Sequence, residues 1–437
     1  MPKSWVTISI TAIGIFVMGV SVSRSAPAAP PTLGGCPVLP ADNIWNVPID
    51  QLPVDPSSAA YINTIGANDN VHADFGSGIW PDPGGFPIGI PFTTVLGTQP
   101  KVPVVFDYAG ESDPGPYPIP PNVPVEGNPN SGDRHILIVD RTNCVLYEMW
   151  NSRKINGVWH AGSGAVFTLT LNAPLRPDGW TSADAAGLPI LPGLVRYDEV
   201  AAGEINHAIR FTVPETRHAY VWPARHYASS LTGSQYPPMG QHFRLKASFV
   251  IDNRFSEPTK VILRALKKYG MILADNGSSW YISGAPDERW DNDMLHELDV
   301  VVGSDFEAVN VSSLMVDQNS GQALSDFVLT ANPTSRAVEA GGVATYQLRF
   351  EKSAAFSSAI TVTASSPSPS LTLKLSNTSV TPPITITLTI TDAHPPGSPP
   401  IWYTIPITAT GGSVTHTVNT SLLVGGERVY LPLVLKN

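Results

Sequence analysis

Residues 133–150 read DRHILIVDRTNCVLYEMW, and this stretch decides what kind of fold the chain can form. Two apolar runs rich in strand-forming residues, 136–139 and 144–150, flank the polar segment Asp140-Arg141-Thr142-Asn143. A polar, turn-forming segment between two such runs is typical of a β-hairpin. We therefore expect a mainly β chain with this hairpin in its core.

Further strand-like runs follow at residues 165–171, 208–213, 219–222, 243–251, 271–274 and 280–283. Gly, Pro, Asn and Asp separate them, which predicts an antiparallel β-sandwich or jelly-roll-like body. One or two short helices are expected: residues 258–269, which Gly270 ends, and residues 291–298, capped by Asp291 or Asn292. From residue 37 to residue 130, recurring prolines and glycines predict loops and short strands without helices.

The composition excludes several classes of protein. Of 437 residues, 43 are proline and only 14% are charged, which argues against coiled coils and helical bundles. The net charge of −10 predicts neither a nucleic acid partner nor attraction to an anionic membrane surface. The length predicts two or three domains.

The N-terminus has the pattern of a secretory signal. Lys3 precedes an apolar stretch at residues 5–22, and Ala26-Pro27-Ala28 fits a cleavage site. We expect a signal peptide at residues 1–28 and a linker at 29–36, so the protein is predicted to be secreted or at the cell surface. No stable membrane span is expected after cleavage. An uncleaved membrane anchor, or lipidation at Cys36, is the alternative.

The chain has two cysteines, Cys36 and Cys144. In an exported protein such a pair is predicted to form a disulfide, which here would tie the mature N-terminus to the core. Two unrelated thiols are the alternative.

The composition changes beyond a polar linker at residues 317–325, which ends the β-rich body of residues 37–316. Residues 326–425 are rich in Thr, Ser, Val and Pro and contain about seven strand-like runs, the number expected of one β-sandwich. Residues 426–437 form an apolar tail, which is either a last strand or a separate terminal segment.

Residues 326–425 resemble the immunoglobulin-like accessory modules of secreted bacterial proteins. The similarity rests on Phe327-Val328-Leu329, Tyr346-Gln347-Leu348, Ile405-Pro406-Ile407 and Leu422-Leu423-Val424. It implies a C-terminal immunoglobulin-like β-sandwich and no catalysis. Residues 133–307 resemble an uncharacterised module of exported soil-bacterial proteins, and the tail resembles that of exported proteins of filamentous green bacteria. Neither similarity implies a substrate.

The chemistry is expected in the middle of the chain, where ionisable residues and tryptophans alternate. The sequence lacks an HExxH motif, a cysteine cluster, a calcium loop and a nucleotide fingerprint, so we expect no metal and no cofactor. Calcium binding by Asp287, Asp291 and Asp293 is the alternative, although aspartates in a turn before a helix are more often caps. The candidate catalytic residues are Glu148, Asp184, His207, His135 and Arg210. The candidate substrate-binding residues are Trp150, Trp180, Trp222, Arg225, His226 and Asp178.

His207 has a competing structural interpretation. In a strand, alternate side chains share a face, so His207 lies with the apolar Ile205, Ile209 and Phe211, while Arg210 lies on the other face. A histidine on an apolar face is more often a packed core residue than a catalyst.

These residue types favour a carbohydrate-active enzyme. Paired carboxylates can split the roles of acid and base, and indole rings stack on sugars. We therefore predict a glycoside hydrolase or polysaccharide lyase that acts on a polysaccharide or a cell-surface glycan. The alternative is a non-catalytic adhesin, sugar-binding or structural protein. Both hypotheses require the candidate catalytic and substrate-binding side chains to lie together in one depression of the surface.

Overall fold

A computed structural model describes residues 30–81, 83–127, 132–324, 327–352, 356, 358–411 and 414–425. The predicted signal peptide and C-terminal tail lie outside the described residues. Among the residues described, no helix is both long and apolar enough to cross a bilayer.

The first part of the body consists of short elements. They are β1 (Thr32–Leu33), β2 (Cys36–Pro37), α1 (Ser58–Ile65), β3 (His72–Asp74), β4 (Ile79–Trp80), β5 (Phe86–Pro87), β6 (Phe92–Val95) and β7 (Val104–Phe106). The expectation of no helix here is wrong. Residues 58–65 contain neither Pro nor Gly, and buried Tyr61, Ile62 and Ile65 pack α1 on the core.

The rest of the body contains longer elements. They are β8 (Ile136–Asp140), β9 (Val145–Trp150), β10 (Arg153–Ile155), β11 (Val158–Ala161), β12 (Ser163–Thr168), α2 (Tyr197–Ala202), β13 (Ile209–Val213), β14 (His242–Leu245), α3 (Glu257–Lys268), β15 (Met271–Asn276), β16 (Tyr281–Ser283), α4 (Asn292–Leu295) and β17 (Phe306–Val309). Both predicted helices form, although α4 is shorter than expected. The run at 219–222 forms only an isolated bridge between Tyr220 and Met239.

The predicted hairpin is the centre of a four-stranded sheet with the order β12-β9-β8-β6. Strands β8 and β9 pair in antiparallel register, with Ile136 opposite Met149 and Asp140 opposite Val145. Both faces of the hairpin are covered: Leu137, Val139 and Leu146 belong to the main core, and Ile136, Ile138, Tyr147 and Met149 to a second, smaller core. Alternation along β9 therefore puts Glu148 on the face that packs on the main core.

The second large sheet has the order β17-β14-β15-β13-β16-β3. Pairs β13 with β15 and β16 with β3 are parallel, and the remaining pairs are antiparallel. The mainly β class is confirmed, but the body is mixed rather than purely antiparallel. The reason is the long connection between β13 and β15, which contains α3 and returns the chain in the same direction.

The predicted disulfide is present. Cys36 in β2 is bonded to Cys144, which immediately precedes β9, across a sequence separation of 108 residues. The bond joins the N-terminal segment to the central hairpin.

Residues 319–323, within the predicted linker, contact the body. Gly321 C=O accepts a hydrogen bond from Ile44 N–H at 2.9 Å, and Gln322 Nε2 donates one to Asp42 at 2.8 Å. Ala323 is buried in the main core.

The C-terminal part forms two sheets around one core. Its strands are β18 (Phe327–Asn332), β19 (Ser335–Val338), β20 (Val343–Lys352), β21 (Ile360–Ala364), β22 (Leu371–Leu375), β23 (Ser379–Val380), β24 (Ile384–Asp392), β25 (Ile401–Gly411) and β26 (Val414–Val424). The sheet orders are β18-β20-β24-β22 and β19-β26-β25-β21-β23. Alternate residues of both sheets, such as Tyr346, Leu388, Ile407 and Leu422, fill the shared core, which is the packing of a β-sandwich.

The disulfide yields the first prediction. Replacing both cysteines with serine releases a long loop in the unfolded chain and lowers the free energy of unfolding by about 4 kcal/mol. In differential scanning calorimetry, the transition of the body moves to lower temperature, while that of the C-terminal sandwich stays in place. Equal shifts of all transitions, or no shift, would contradict this placement of the bond.

Candidate active site

A buried arginine organises the polar residues between the two large sheets. Strand β13 carries Arg210, whose guanidinium donates two hydrogen bonds to Asp184, from Nε at 2.9 Å and from Nη2 at 2.8 Å. It also donates to Ser283 Oγ at 2.7 Å and to Asp275 at 3.3 Å. The Arg210 side chain is 5% exposed and that of Asp184 is fully buried. Asp184, Asp275 and Glu126 raise the pKa of Arg210 against the effect of burial, so it is a permanent buried cation.

A histidine and a glutamate form a second ion pair beside the first. His135 Nδ1 contacts Glu126, and His135 Nε2 lies 3.1 Å from the Ala183 carbonyl oxygen. Both ring nitrogens thus face acceptors, which requires a doubly protonated ring. Burial alone lowers the pKa of His135, but the Glu126 charge and hydrogen bond outweigh it and raise the pKa to about 9.

The same pair has the opposite effect on the carboxyl group. Burial acts to raise the pKa of Glu126, yet the His135 charge, two hydrogen bonds from His135 and the Arg210 charge hold it below its usual range. The Glu126 side chain is 20% exposed, so an ionised carboxylate reaches solvent at this point.

The pKa of Asp275 is shifted in the opposite direction to that of Glu126. Burial and the Asp184 charge raise the pKa of Asp275 to about 7, although Arg210 and His135 lower it in part. Its side chain is 26% exposed. Nearby Asp74 still reaches solvent, and desolvation and the Glu126 charge raise its pKa as well. We call Glu126, His135, Asp184, Arg210 and Asp275 the Arg210 cluster.

Glu148 lies next to this cluster but is fully buried. Its carboxyl accepts hydrogen bonds from the backbone N–H groups of Ile190 and Leu191, at 2.9 to 3.1 Å. Burial, with a smaller contribution from Asp184, raises the pKa of Glu148 to about 7, against the effect of the two N–H groups. The following turn comes so close to β13 that a Cβ at Gly193 would lie 2.7 Å from the Cβ of Arg210.

Four of the five candidate catalytic residues are therefore neighbours: Glu148, Asp184, His135 and Arg210. His207 lies apart from them. It is fully buried, as its apolar neighbours suggested, with Nε2 3.2 Å from Glu199 and Nδ1 2.8 Å from the Ala208 carbonyl oxygen. Glu199 also pairs with Arg196.

The candidate substrate-binding residues divide between several places. Trp222, Arg225 and Asp178 line one cavity of about 470 Å³. Trp150 donates from Nε1 to Asp133 at 3.2 Å, and Tyr108 lies beside it. Trp180 packs against the guanidinium of Arg176, and His226 Nδ1 lies 2.7 Å from the Ala185 carbonyl oxygen. No single depression described here contains all six.

Glu126, Asp74 and Asp275 are not among the residues predicted from the sequence. Asp275 follows the apolar run of residues 271–274 and precedes Asn276-Gly277, a position where a polar side chain is often exposed near a strand end. This weak signal could have identified it. Glu126 lies in a proline-rich loop without periodicity, and no comparable signal exists there.

One group of side chains has donors spaced closely enough for a metal ion. Among the described residues, the ligand atoms of Glu126, Asp133 and His135 lie within 4.8 Å of one another. Two carboxylates and an imidazole suit a divalent cation. In the arrangement observed, His135 is instead the cationic partner of Glu126.

Comparisons with known proteins return only distant resemblances. Neither a protein-family model nor a curated protein matches the chain. Domains 4 and 5 of the S-layer protein SbsC align at 18% identity over 23% of this chain, with a TM-score of 0.17, and the match spans about half (51%) of that structure.

Two further solved structures show resemblances of the same order. The BIgI domain of the β protein from S. agalactiae, bound to CEACAM1, aligns at 13% identity over 23% of this chain and 99% of that domain, with a TM-score of 0.17. A family 123 glycoside hydrolase from Clostridium perfringens aligns at 10% identity over 25% of this chain and 28% of that enzyme, with a TM-score of 0.18. Similarity at this level says nothing about activity.

The Arg210 guanidinium is expected to be essential for the stability of the body. Replacing Arg210 with methionine leaves the buried Asp184 carboxylate without its partner, so the free energy of unfolding falls by roughly 3–5 kcal/mol. The matched control is Arg254→Met, because Arg254 pairs with Asp252 at the surface. Chemical denaturation should detect a large loss in the first variant and almost none in the second. Equal small effects would show that the Arg210 pair does not support the body.

The raised pKa values predict how stability depends on pH. With pKa values of about 9 for His135 and about 7 for both Glu148 and Asp275, these groups bind protons more tightly in the folded chain than in the unfolded chain, where their ordinary pKa values are 6.5, 4.5 and 3.8. The stability that protonated Glu148 and Asp275 contribute is lost as pH rises through about 7. The stability that protonated His135 contributes is lost as pH rises through about 9.

The melting temperature of the body should therefore fall by several degrees between pH 5 and pH 9, as measured by scanning fluorimetry. His135→Gln should flatten the upper part of this curve. A melting temperature that rises over the same range would contradict these protonation states.

Proposed function

We propose that the chain is a secreted or cell-surface carbohydrate-active enzyme that hydrolyses glycosidic bonds at the Arg210 cluster. Asp275 is the general acid and Glu126 the general base. The observation that carries the proposal is the opposite shift in the pKa of these two partly exposed carboxyls around one buried arginine. Pairs of carboxyls with pKa values driven apart are the usual basis of acid–base catalysis in glycoside cleavage.

The reaction follows from the two protonation states. Asp275, protonated up to about pH 7, donates its proton to the glycosidic oxygen as the bond to the anomeric carbon breaks. Glu126, already ionised, stabilises the positive charge on the sugar and accepts a proton from the attacking water. Asp184 and Glu148 do not reach the substrate. They act as positioning residues, because Asp184 holds Arg210 and Glu148 holds the turn that packs on it.

The protonation and hydrogen bonding of the two histidines and of Arg210 favour hydrolysis over elimination. A lyase needs a neutral base and a cation that binds the uronate carboxylate. His135 is held as a cation between two acceptors, and His207 is buried away from the cluster. The guanidinium of Arg210 is occupied by Asp184, Ser283 and Asp275.

The charge of the accessible groups favours a neutral or amino sugar. The groups of this region that reach solvent include the carboxyls of Asp74, Glu126, Asp133 and Asp275. A uronate or sulfated glycan would meet like charge there, whereas hydroxyl and ammonium groups would not. Half-buried Trp150, bonded to Asp133, offers an indole ring for stacking beside these carboxyls.

An extracellular location agrees with the signal-like N-terminus and with the disulfide, since such bonds persist mainly outside the reducing cytosol.

A non-catalytic surface protein is the second candidate, and one observation favours it. Glu148 and Asp184, the carboxyls that the sequence made most suggestive, are buried and fully engaged by Arg210 or by backbone N–H groups. Buried carboxyls of this kind also serve stability alone.

Hydrolysis of neutral and amino polysaccharides, measured by the release of reducing ends, tests the proposal. Wild-type activity should be highest below pH 7 and fall as Asp275 loses its proton. Asp275→Asn and Glu126→Gln should each lower kcat by about a hundredfold or more. Because Glu126→Gln also leaves buried His135 without its ionised partner and so lowers the stability, both variants are assayed well below their melting temperatures, with circular dichroism showing that they are folded. Asp252→Asn, which changes a carboxyl exposed at the surface, is the matched control and should leave kcat unchanged.

The assay is repeated after treatment with EDTA, because Glu126, Asp133 and His135 could bind a cation. If catalysis depends on Asp275 and Glu126 as acid and base, the activity should be unchanged after EDTA treatment. No released product from any substrate would reject the enzyme in favour of a binding or structural protein.

A further inference from the structure

A row of polar side chains crosses three neighbouring strands of the six-stranded sheet at the Arg210 cluster. Arg210 of β13 donates a hydrogen bond from Nη1 to Ser283 Oγ of β16 at 2.7 Å. Ser283 lies directly opposite Asp74, the last residue of β3, and side chains that are opposite each other in a sheet project to the same face. The row therefore leads from the buried guanidinium to the carboxyl of Asp74.

Asp74 is the member of this row that a ligand can reach. Strand β3 is at the edge of the sheet and Asp74 is exposed, whereas Arg210 and Ser283 are buried. On the other side of β13, strand β15 carries Asp275, the proposed general acid. The order β15-β13-β16-β3 places Asp275 and Asp74 three strand spacings apart, a span of about 14 Å. A sugar that contacts Asp275 is thus within reach of Asp74.

The basic side chains near Asp74 are engaged by other carboxyls. His72 and Arg210 are the two bases whose charge acts on Asp74. Arg210 is held by Asp184, and His72 Nδ1 lies 4.0 Å from Asp299. Over the ranges that the structure describes, no basic side chain lies at ion-pair distance from Asp74.

The other charges near Asp74 are negative. Burial and the charges of Glu126 and Asp133 raise the pKa of Asp74. Asp133 is exposed as well, and it accepts a hydrogen bond from Trp150 Nε1 at 3.2 Å. A cationic group bound here would stabilise the ionised form of Asp74, whereas a neutral group would only remove water from it. The position of Asp74 therefore suits an ammonium group better than a hydroxyl group.

We propose that Asp74 is a specificity-determining residue whose carboxylate binds the ammonium group of a 2-amino sugar. The substrate is then a cationic polysaccharide of unacetylated amino sugars, such as a glucosamine polymer, rather than a neutral glycan. This inference rests on the proposed function, because it places the sugar at Asp275 and Glu126. It extends that function by choosing between the two classes of sugar that the accessible carboxyls favour.

The test compares two tetrasaccharides that differ in charge, the β-1,4-linked tetramers of glucosamine and of N-acetylglucosamine. Isothermal titration calorimetry uses the full chain with Asp275→Asn, so that neither tetramer is cleaved, at about pH 6, where amino groups are protonated. The glucosamine tetramer should bind about tenfold more tightly than the acetylated one. Adding Asp74→Asn should weaken its binding by about tenfold, because a charge-assisted hydrogen bond is lost. Binding of the N-acetylglucosamine tetramer should stay the same.

The matched control is Asp252→Asn in the same Asp275→Asn background. Asp252 is an exposed carboxyl that pairs with Arg254, so its substitution should leave both affinities unchanged. Circular dichroism shows whether each variant is folded. If Asp74→Asn fails to fold, the dependence on salt replaces it: added NaCl should weaken the binding of the glucosamine tetramer and not that of the N-acetylglucosamine tetramer.

Equal affinities for the two tetramers, or no binding of the glucosamine tetramer, would overturn the proposal. An equal loss of both tetramers in Asp74→Asn, or the same loss in Asp252→Asn, would also overturn it, because Asp74 would then not select the charged sugar.

The proposed hydrolysis is tested separately, with the wild type and the glucosamine polymer. If the tetramer binds with the expected dependence on Asp74 but the polymer releases no reducing ends, only the hydrolytic function fails. If a neutral glycan is cleaved and the glucosamine tetramer does not bind, only the role of Asp74 fails.

Discussion

The body of this protein depends on one buried ion pair. Arg210 and Asp184 lie between two sheets, almost out of contact with water, and form two parallel hydrogen bonds. A buried charge is tolerated only when it is paired and its hydrogen bonds are satisfied. This requirement fixes the loop that carries Asp184 against β13 and brings Ser283 of β16 and Asp275 of β15 to the same guanidinium.

The chemistry follows from the charges around that pair. Asp184 lies close enough to raise the pKa of Asp275, whereas Arg210 and His135 keep Glu126 ionised. The two carboxyl groups therefore carry different protonation states at one pH.

Local signals in the sequence were sufficient for part of the structure. The hairpin of residues 136–150, helix α3 and the alternating strands of the C-terminal sandwich depend on neighbouring residues and formed as expected. The parallel pairs of the six-stranded sheet depend on a long crossover, which no short window reveals. Likewise, Asp275 is 65 residues from Arg210, and its pKa depends on burial that only the folded chain creates. Strand alternation did identify the apolar setting of His207.

The protonation state of Asp275 tests the central claim most directly. A ¹³C NMR titration of protein labelled at the aspartate carboxyl carbons, with the Asp275 resonance assigned by its absence in Asp275→Asn, gives its pKa in the free protein. We predict a midpoint near pH 7, set by burial and by the Asp184 charge. A midpoint near the ordinary aspartate value of about 4 would contradict the account, because no general acid would then exist at neutral pH.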